Sequence, residues 1–290
     1  MSTMSKPAKA VRVTLESTMV GPLWARAKYS QLYPEILNDS LAVDLIEKVR
    51  SHHPGAKQEF LAMEQFIDEF YGLTFLIRAR IFDDTILQFI CHHPNTTIVN
   101  IGCGLDTTYS RIDNGKVLWY DLDLPPAIDY RCTWFPETER NRYIAKSAFD
   151  PSWFEDVSFT EKTGIFCLAG GLFHYFPESQ VASFFRAMAE AFPSGELLFD
   201  MPSKLGIRVL KRRFQSAGIE GVDIKLGLGN PYKQIPSWTN RAEVLDWFPM
   251  FSRIPRNPKW KWRTRMMMRL NDWLKVGTFV HVRFLTTRSG

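Results

Sequence analysis

The segment Thr97-Ile98-Val99-Asn100-Ile101 constrains this chain most: it is an apolar run that ends abruptly at Gly102 and Gly104. A short strand that is apolar on both faces must be covered on both faces, which calls for a parallel sheet between helices. Further runs repeat the pattern at Lys116–Tyr120, Arg142–Ala145, Gly164–Ala169 and Glu196–Asp200. Between the last two lies Glu178–Phe192, whose apolar residues recur at helical spacing. Val276–Leu285 alternates and reads as the final strand, with Met250–Ile254 as another. The expected fold is therefore α/β, with a seven-stranded, mostly parallel sheet and a hairpin near its C-terminal end.

The region before Thr96 reads as helices. Asn38-Asp39-Ser40 offers N-cap chemistry ahead of Leu41, Val43, Leu45, Ile46 and Val49. A longer amphipathic stretch runs from Glu59 to Ile90, with Gly72 as a break within it. His52-His53 and His92-His93 precede prolines and punctuate helix ends. The expected division is an N-terminal helical cap over residues 1–95 and a core over 96–290. A lid insertion is expected near 203–248, where Gly218–Pro236 is rich in glycine and proline.

In a doubly wound sheet, ligands bind in the crevice beyond the carboxyl ends of the strands. Gly102 and Gly104 sit at the first such end, where glycine lets the backbone pass close to a ligand. Thr107 stands where a dinucleotide fingerprint needs its third glycine, which argues against a pyrophosphate. Asp121 and Asp123 follow about twenty residues later, the spacing at which an acid accepts from ribose hydroxyls. Glycine loop and acids together point to a nucleoside ligand.

Ile98–Pro125 (IVNIGCGLDTTYSRIDNGKVLWYDLDLP) resembles the leucine carboxyl methyltransferase family, and within it the polyketide-synthesis, tetracenomycin carboxyl-type O-methyltransferase branch. The resemblance continues through Trp134–Arg140, Phe149–Trp153, Gly195–Asp200 and Gly277–Phe284. It implies a class I, Rossmann-like methyltransferase that uses S-adenosylmethionine and releases S-adenosylhomocysteine. It further implies that Gly102 and Gly104 approach the methionine part of the cofactor. Asp123, with Asp121 beside it, would hold the ribose, and Ser147 and Ala148 would lie against the adenine. Lys28 and Arg80 match basic residues that grip the cofactor carboxylate, as charge complementarity favours.

One position departs from the family. Where the leucine carboxyl methyltransferases carry Glu after the fourth strand, this chain reads Ala169-Gly170-Gly171-Leu172-Phe173-His174-Tyr175. Gly170 and Gly171 are expected to open space where substrate and cofactor meet, which favours a small acceptor over a protein C-terminus. His174 and Tyr175 lie just beyond and are the candidate catalytic residues. An imidazole is suited to deprotonating a phenol, whereas a carboxylate acceptor is already an anion and needs no base. Trp24, Tyr29, Phe173 and Tyr175 are candidate walls. A protein C-terminal carboxyl methyltransferase and a non-catalytic binding protein remain the alternatives.

Charge and cysteines bear on partners. The net charge of +5 is concentrated in Arg253, Arg256, Lys259, Lys261, Arg263, Arg265 and Arg269, with no acid among them. Lys204, Arg208, Lys211, Arg212 and Arg213 form a second cluster. Such patches attract nucleic acid, anionic lipid or acidic small molecules, or are simply solvated. The expectation is a small-molecule acceptor with no nucleic-acid or membrane partner, with a homo-oligomer left open. Cys91, Cys103, Cys132 and Cys167 lie far apart, so neither a metal site nor a disulfide framework is expected. The first residues have no apolar signal core and no run is long enough to span a bilayer, so the cytoplasm is the expected location.

Overall fold

The computed structural model describes residues 11–12, 15–52, 67–216 and 219–286. The part of the Glu59–Ile90 reading before Ile67, together with His53 and Gly218, lies outside them. Among the described residues, three helices come first: α1 (Leu15–Leu32), α2 (Ser40–His52) and α3 (Glu69–His92). The strands are β1 (Thr97–Ile101), β2 (Leu118–Asp123), β3 (Asn141–Ala145), β4 (Ile165–Ala169), β5 (Glu196–Pro202), β6 (Ala242–Pro249) and β7 (Gly277–Phe284). Between them run α4 (Thr108–Ile112), α5 (Pro125–Cys132), α6 (Glu178–Ala191), α7 (Lys204–Ser216), α8 (Pro231–Trp238) and α9 (Trp262–Leu274). Val11–Arg12 and Ile219–Glu220 pair separately as a short parallel ribbon.

The sheet order is β3-β2-β1-β4-β5-β7-β6. The first five strands are parallel, and β7 runs antiparallel to both of its neighbours. That parallel half repeats the doubly wound order, so the connections leaving β1 and β4 diverge and a crevice opens between their carboxyl ends. Burial follows the pleat. Ile98, Phe166 and Leu198 face a core shared with α1, α2 and α3, while Val99, Cys167 and Leu197 face one shared with α6. Covered on both sides, β1 is buried at every position.

The structure departs from the sequence reading in four places. β2 extends past Tyr120, so Asp121 and Asp123 lie within the strand rather than beyond it. The edge strand is Ala242–Pro249, and residues 250–253 form a turn. A bulge between Val244 and Asp246 interrupts the period-two pattern there and hides the strand. Within the glycine- and proline-rich segment, α8 is capped by Asn230, which accepts from the Tyr232 amide at 3.0 Å, with Pro231 opening the helix. Finally, α3 runs unbroken through Gly72.

Gly72 is a packing glycine. A Cβ there would fall 2.0 Å from the Tyr29 ring, so α1 and α3 approach closely only because the side chain is missing. Gly72→Ala should therefore destabilise the protein by about 1–3 kcal/mol despite alanine's better helix propensity. Urea unfolding would read the change, and a stabilised variant would mean that Tyr29 moves aside freely.

Candidate functional site

The turn after β1 takes its shape from two left-handed glycines, Gly102 at φ 71° and Gly104 at φ 46°. The Gly104 amide donates to Asp123 Oδ2 at 2.8 Å, and the Leu124 amide donates to Oδ1 of the same carboxylate at 2.8 Å. Asp123 is part-exposed at the end of β2, and burial pushes its carboxyl above the usual range against those two amide donors. Asp121 has a different place from the one expected. It is wholly buried, with Oδ1 accepting from Asn100 (3.1 Å) and Trp119 (2.9 Å) and Oδ2 from Arg131 (2.7 Å). Arg131 also donates to the Gly104 and Asp106 carbonyls, at 3.0 and 2.8 Å. Asp121 thus braces the loop from below, and Asp123 is the acid at the cleft.

From the cap side the loop is held by ions. Asp39 caps α2 by accepting from the Ala42 amide at 3.1 Å. The same carboxylate takes Arg26 (3.1 Å), Arg111 (3.0 Å) and Thr107 (2.7 Å). Arg26 continues to the Leu105 carbonyl at 2.8 Å, and Arg111 forks onto Asp83 of α3 at 2.6 and 2.9 Å. Burial raises the Asp83 carboxyl to about 6, so the fork is still an ion pair at pH 7.

At the end of β3, Ser147 accepts from the Phe149 amide at 3.3 Å, and the Ala148 carbonyl accepts from Trp153 Nε1 at 3.0 Å. These bonds lead into the short helical turn Pro151–Asp156, which Asp150 caps through the Ser152 amide at 3.0 Å.

The ends of β4 and β5 bring in residues from a third direction. The sequence reading expected Gly170 and Gly171 to leave open space; the structure fills that space from α3. A Cβ on Gly170 would lie 3.2 Å from the Phe82 ring, and one on Gly171 would lie 2.8 Å from Arg78 Nη1. The Gly171 amide donates to Asp200 Oδ1 at 2.6 Å, and Asp200 Oδ2 is 3.7 Å from Arg78 Nη1. Arg78 and Asp200 are thus the charged pair at the crevice, and the sequence reading selected neither. Their signal was present: Arg78 lies two residues from Arg80, and such neighbours face opposite sides of a helix.

Arg80 has other partners than Arg78. It donates to Asp84 at 2.7 Å and to the Ile36 carbonyl at 2.8 Å, and it lines an open hollow with Leu37, Asp83 and Arg111. Lys28 lies over the Trp24 ring, 4.7 Å from its centroid. Of the candidate walls, Phe173 belongs to an aromatic core with Phe184, Phe185 and Phe199, and Tyr29 is committed to Gly72. His174 is buried, its Nδ1 has no hydrogen-bond partner, and its ring sits 4.1 Å from that of the exposed Tyr175. Burial depresses the imidazole to about 4, opposed in part by Asp200.

Residues 19–189 match the family model for leucine carboxyl methyltransferase. The chain belongs to this family. It is 26% identical over 225 residues to the tetracenomycin polyketide synthesis O-methyltransferase TcmP of Streptomyces glaucescens, covering 77% of this chain and 79% of that one. It is 23% identical to the S-adenosyl-L-methionine-dependent methyltransferase dpfgK of Gibberella zeae, covering 95% of each. Among solved structures, a DUF574 family protein from Streptomyces avermitilis superposes with a TM-score of 0.56 at 11% identity, over 79% of this chain and 90% of that one. The protein is an S-adenosylmethionine-dependent methyltransferase with the class I fold. Its donor set fits that cofactor: a carboxylate at the second strand end suits ribose hydroxyls, and a guanidinium beside the fourth suits a carboxylate.

A histidine held neutral has a consequence for stability. The unfolded imidazole takes up a proton near pH 6.5, whereas the folded one resists until about 4. The unfolded state therefore binds more protons in that window, and stability falls as the pH drops through it. This group should remove up to about 3 kcal/mol between those limits, and His174→Phe should flatten that part of the profile. Urea unfolding at stepped pH measures both slopes; identical slopes would mean that the imidazole titrates freely in the folded protein.

Proposed function

We propose that this methyltransferase esterifies a carboxylate on a small, polyketide-like molecule. The observation that carries the choice of acceptor is the buried His174, the titratable base at the crevice mouth, whose affinity for protons is far below normal. A base depressed to about 4 is poorly matched to a phenol, whose proton leaves near pH 10. A carboxylate arrives already ionised and needs only to be aligned. Gly170, where a protein-directed relative would carry Glu, supports a small acceptor, as does the similarity to a polyketide O-methyltransferase.

The bound cofactor supplies an activated methyl group on sulfur, and the protein supplies position. Asp123 holds the ribose hydroxyls, and Gly102 and Gly104 admit the methionine portion against the backbone. Ser147 and Ala148 border the adenine. Arg78, rather than Arg80, takes the cofactor carboxylate, because it is the arginine lying over Gly171 at the strand end. Phe82 and Leu172, against Gly170 and Gly102, keep water from the reacting atoms. Alignment of this kind contributes up to about 7–11 kcal/mol to lowering a barrier. Tyr175, exposed beside His174, borders the acceptor.

The unpartnered His174 Nδ1 favours a second reading, in which the imidazole accepts the proton of a phenolic acceptor. Products separate the two. Incubation with labelled cofactor and matched aromatic acids and phenols should give alkali-labile methyl esters, at a rate flat between about pH 6 and 8. Alkali-stable ethers, formed at a rate that His174→Phe abolishes, would establish the phenol reading. Tight cofactor binding without any product would leave a binding protein.

Calorimetry tests the cofactor assignments. Asp123→Ala and Arg78→Met should each weaken S-adenosylmethionine binding by about tenfold or more, the loss expected for a charged hydrogen bond. Arg80→Met should leave affinity within about twofold, since Arg80 is committed to Asp84 and the Ile36 carbonyl. The reverse ranking of the two arginines would return Arg80 to the site.

A further inference from the structure

We propose that the outer faces of α7 and α9 form a peripheral docking surface for an anionic lipid bilayer. On α9, Thr264 and Met268 are buried against the protein. The opposite side carries Trp262, Met266, Leu270 and Trp273, at 62%, 52%, 51% and 79% exposure. Their spacings of four, four and three residues keep them on one line along the helix. Arg263 and Arg269, both exposed, flank that line. An apolar stripe with tryptophan at both ends and arginine alongside has the composition of a helix lying in the bilayer interface.

α7 continues the surface. Its start meets the end of α9, since the Ser203 amide donates to the Val276 carbonyl at 2.9 Å and Gly206 packs against the same carbonyl. Both helices are also tied to the N-terminus of α3: Arg213 of α7 pairs with Asp68 at 3.4 Å, and Thr264 of α9 bonds to Glu69. The exposed face of α7 adds Lys204, Arg208, Lys211 and Arg212 around Leu205 and Val209.

Charge identifies the occupant. The acid on these two helices, Asp272, is taken by Arg256, and Arg253 is taken by Asp246. Lys259, Lys261, Arg263 and Arg269 make no ion pair among the described residues, nor do Lys204, Arg208, Lys211 and Arg212 of α7. A convex helix with unpaired cations beside its apolar line suits a broad, fluid, negatively charged surface, as lipid headgroups provide. No helix among the described residues is long and apolar enough to cross a membrane, so the contact is peripheral. The sequence reading expected no membrane partner, because charge clusters alone do not reveal which apolar residues lie between them in space. The docking face follows β5 and β6, on the side of the sheet where the crevice opens.

The full chain, sedimented with vesicles of phosphatidylcholine alone or mixed with phosphatidylglycerol, provides the test. Binding is expected to the mixed vesicles and not to phosphatidylcholine, with a blue shift of tryptophan emission. W262S/W273S and R263E/R269E should each weaken binding by at least about tenfold, while leaving S-adenosylmethionine affinity and the thermal transition unchanged. Failure to bind the mixed vesicles at low salt would overturn the proposal, as would binding that survives R263E/R269E. A dimer seen by sedimentation velocity, lost in W262S/W273S and unaccompanied by vesicle binding, would assign the face to a second copy of the chain instead.

Discussion

Asp39 carries three side-chain contacts and a helix cap on one carboxylate with no exposure to solvent. It starts α2 through the Ala42 amide, and it accepts from Arg26 of α1 and from Thr107 and Arg111 beyond the glycine loop. Arg111 then reaches Asp83 of α3. One buried cluster thus fixes three cap helices to the turn that follows β1. Removing one member of such a cluster leaves the others charged and unpaired, at a cost of about 3–5 kcal/mol. The helices before Thr96 and the sheet are therefore held in register by electrostatics as well as by the apolar core they share.

The crevice depends on that attachment. With α3 pinned at Asp83 and packed on Tyr29, its neighbouring turn lays Arg78 and Phe82 across the end of β4. The paired glycines there accept them, since any side chain on Gly171 would strike the guanidinium. A second buried pair, Asp121 with Arg131, plays the corresponding part beneath the loop and leaves Asp123 as the acid at its rim. The candidate cleft residues are thus positioned by structural ion pairs one layer away.

Much of the fold was legible because the strands of a doubly covered sheet are short, apolar and bounded by glycine. Five parallel strands, α6 and the last strand were readable on that basis, and Asp39 was recognisable as a cap from its place before an apolar run. The edge strand was not, because a bulge between Val244 and Asp246 breaks its alternation. Gly72 was misread for a related reason: a glycine in a helical pattern signals a break or a close neighbour equally, and the neighbour, Tyr29, is distant in sequence.

The sequence by itself determined the sheet, the glycine turn and the family, since each is written in local spacing and in residues that directly follow a strand. Only the tertiary structure decided which acid is buried against Arg131 and which arginine lies over the end of β4. Asp121 and Asp123 share one face of β2 and differ by their place along it, Asp123 standing at the strand end, and by the arrival of Arg131 from α5 at Asp121. Arg78 and Arg80 differ by the side of α3 that turns toward the sheet, a choice fixed by packing against Tyr29 and the pairing of Asp83. Local sequence specifies an element and its two faces; long-range contacts choose which face becomes the site.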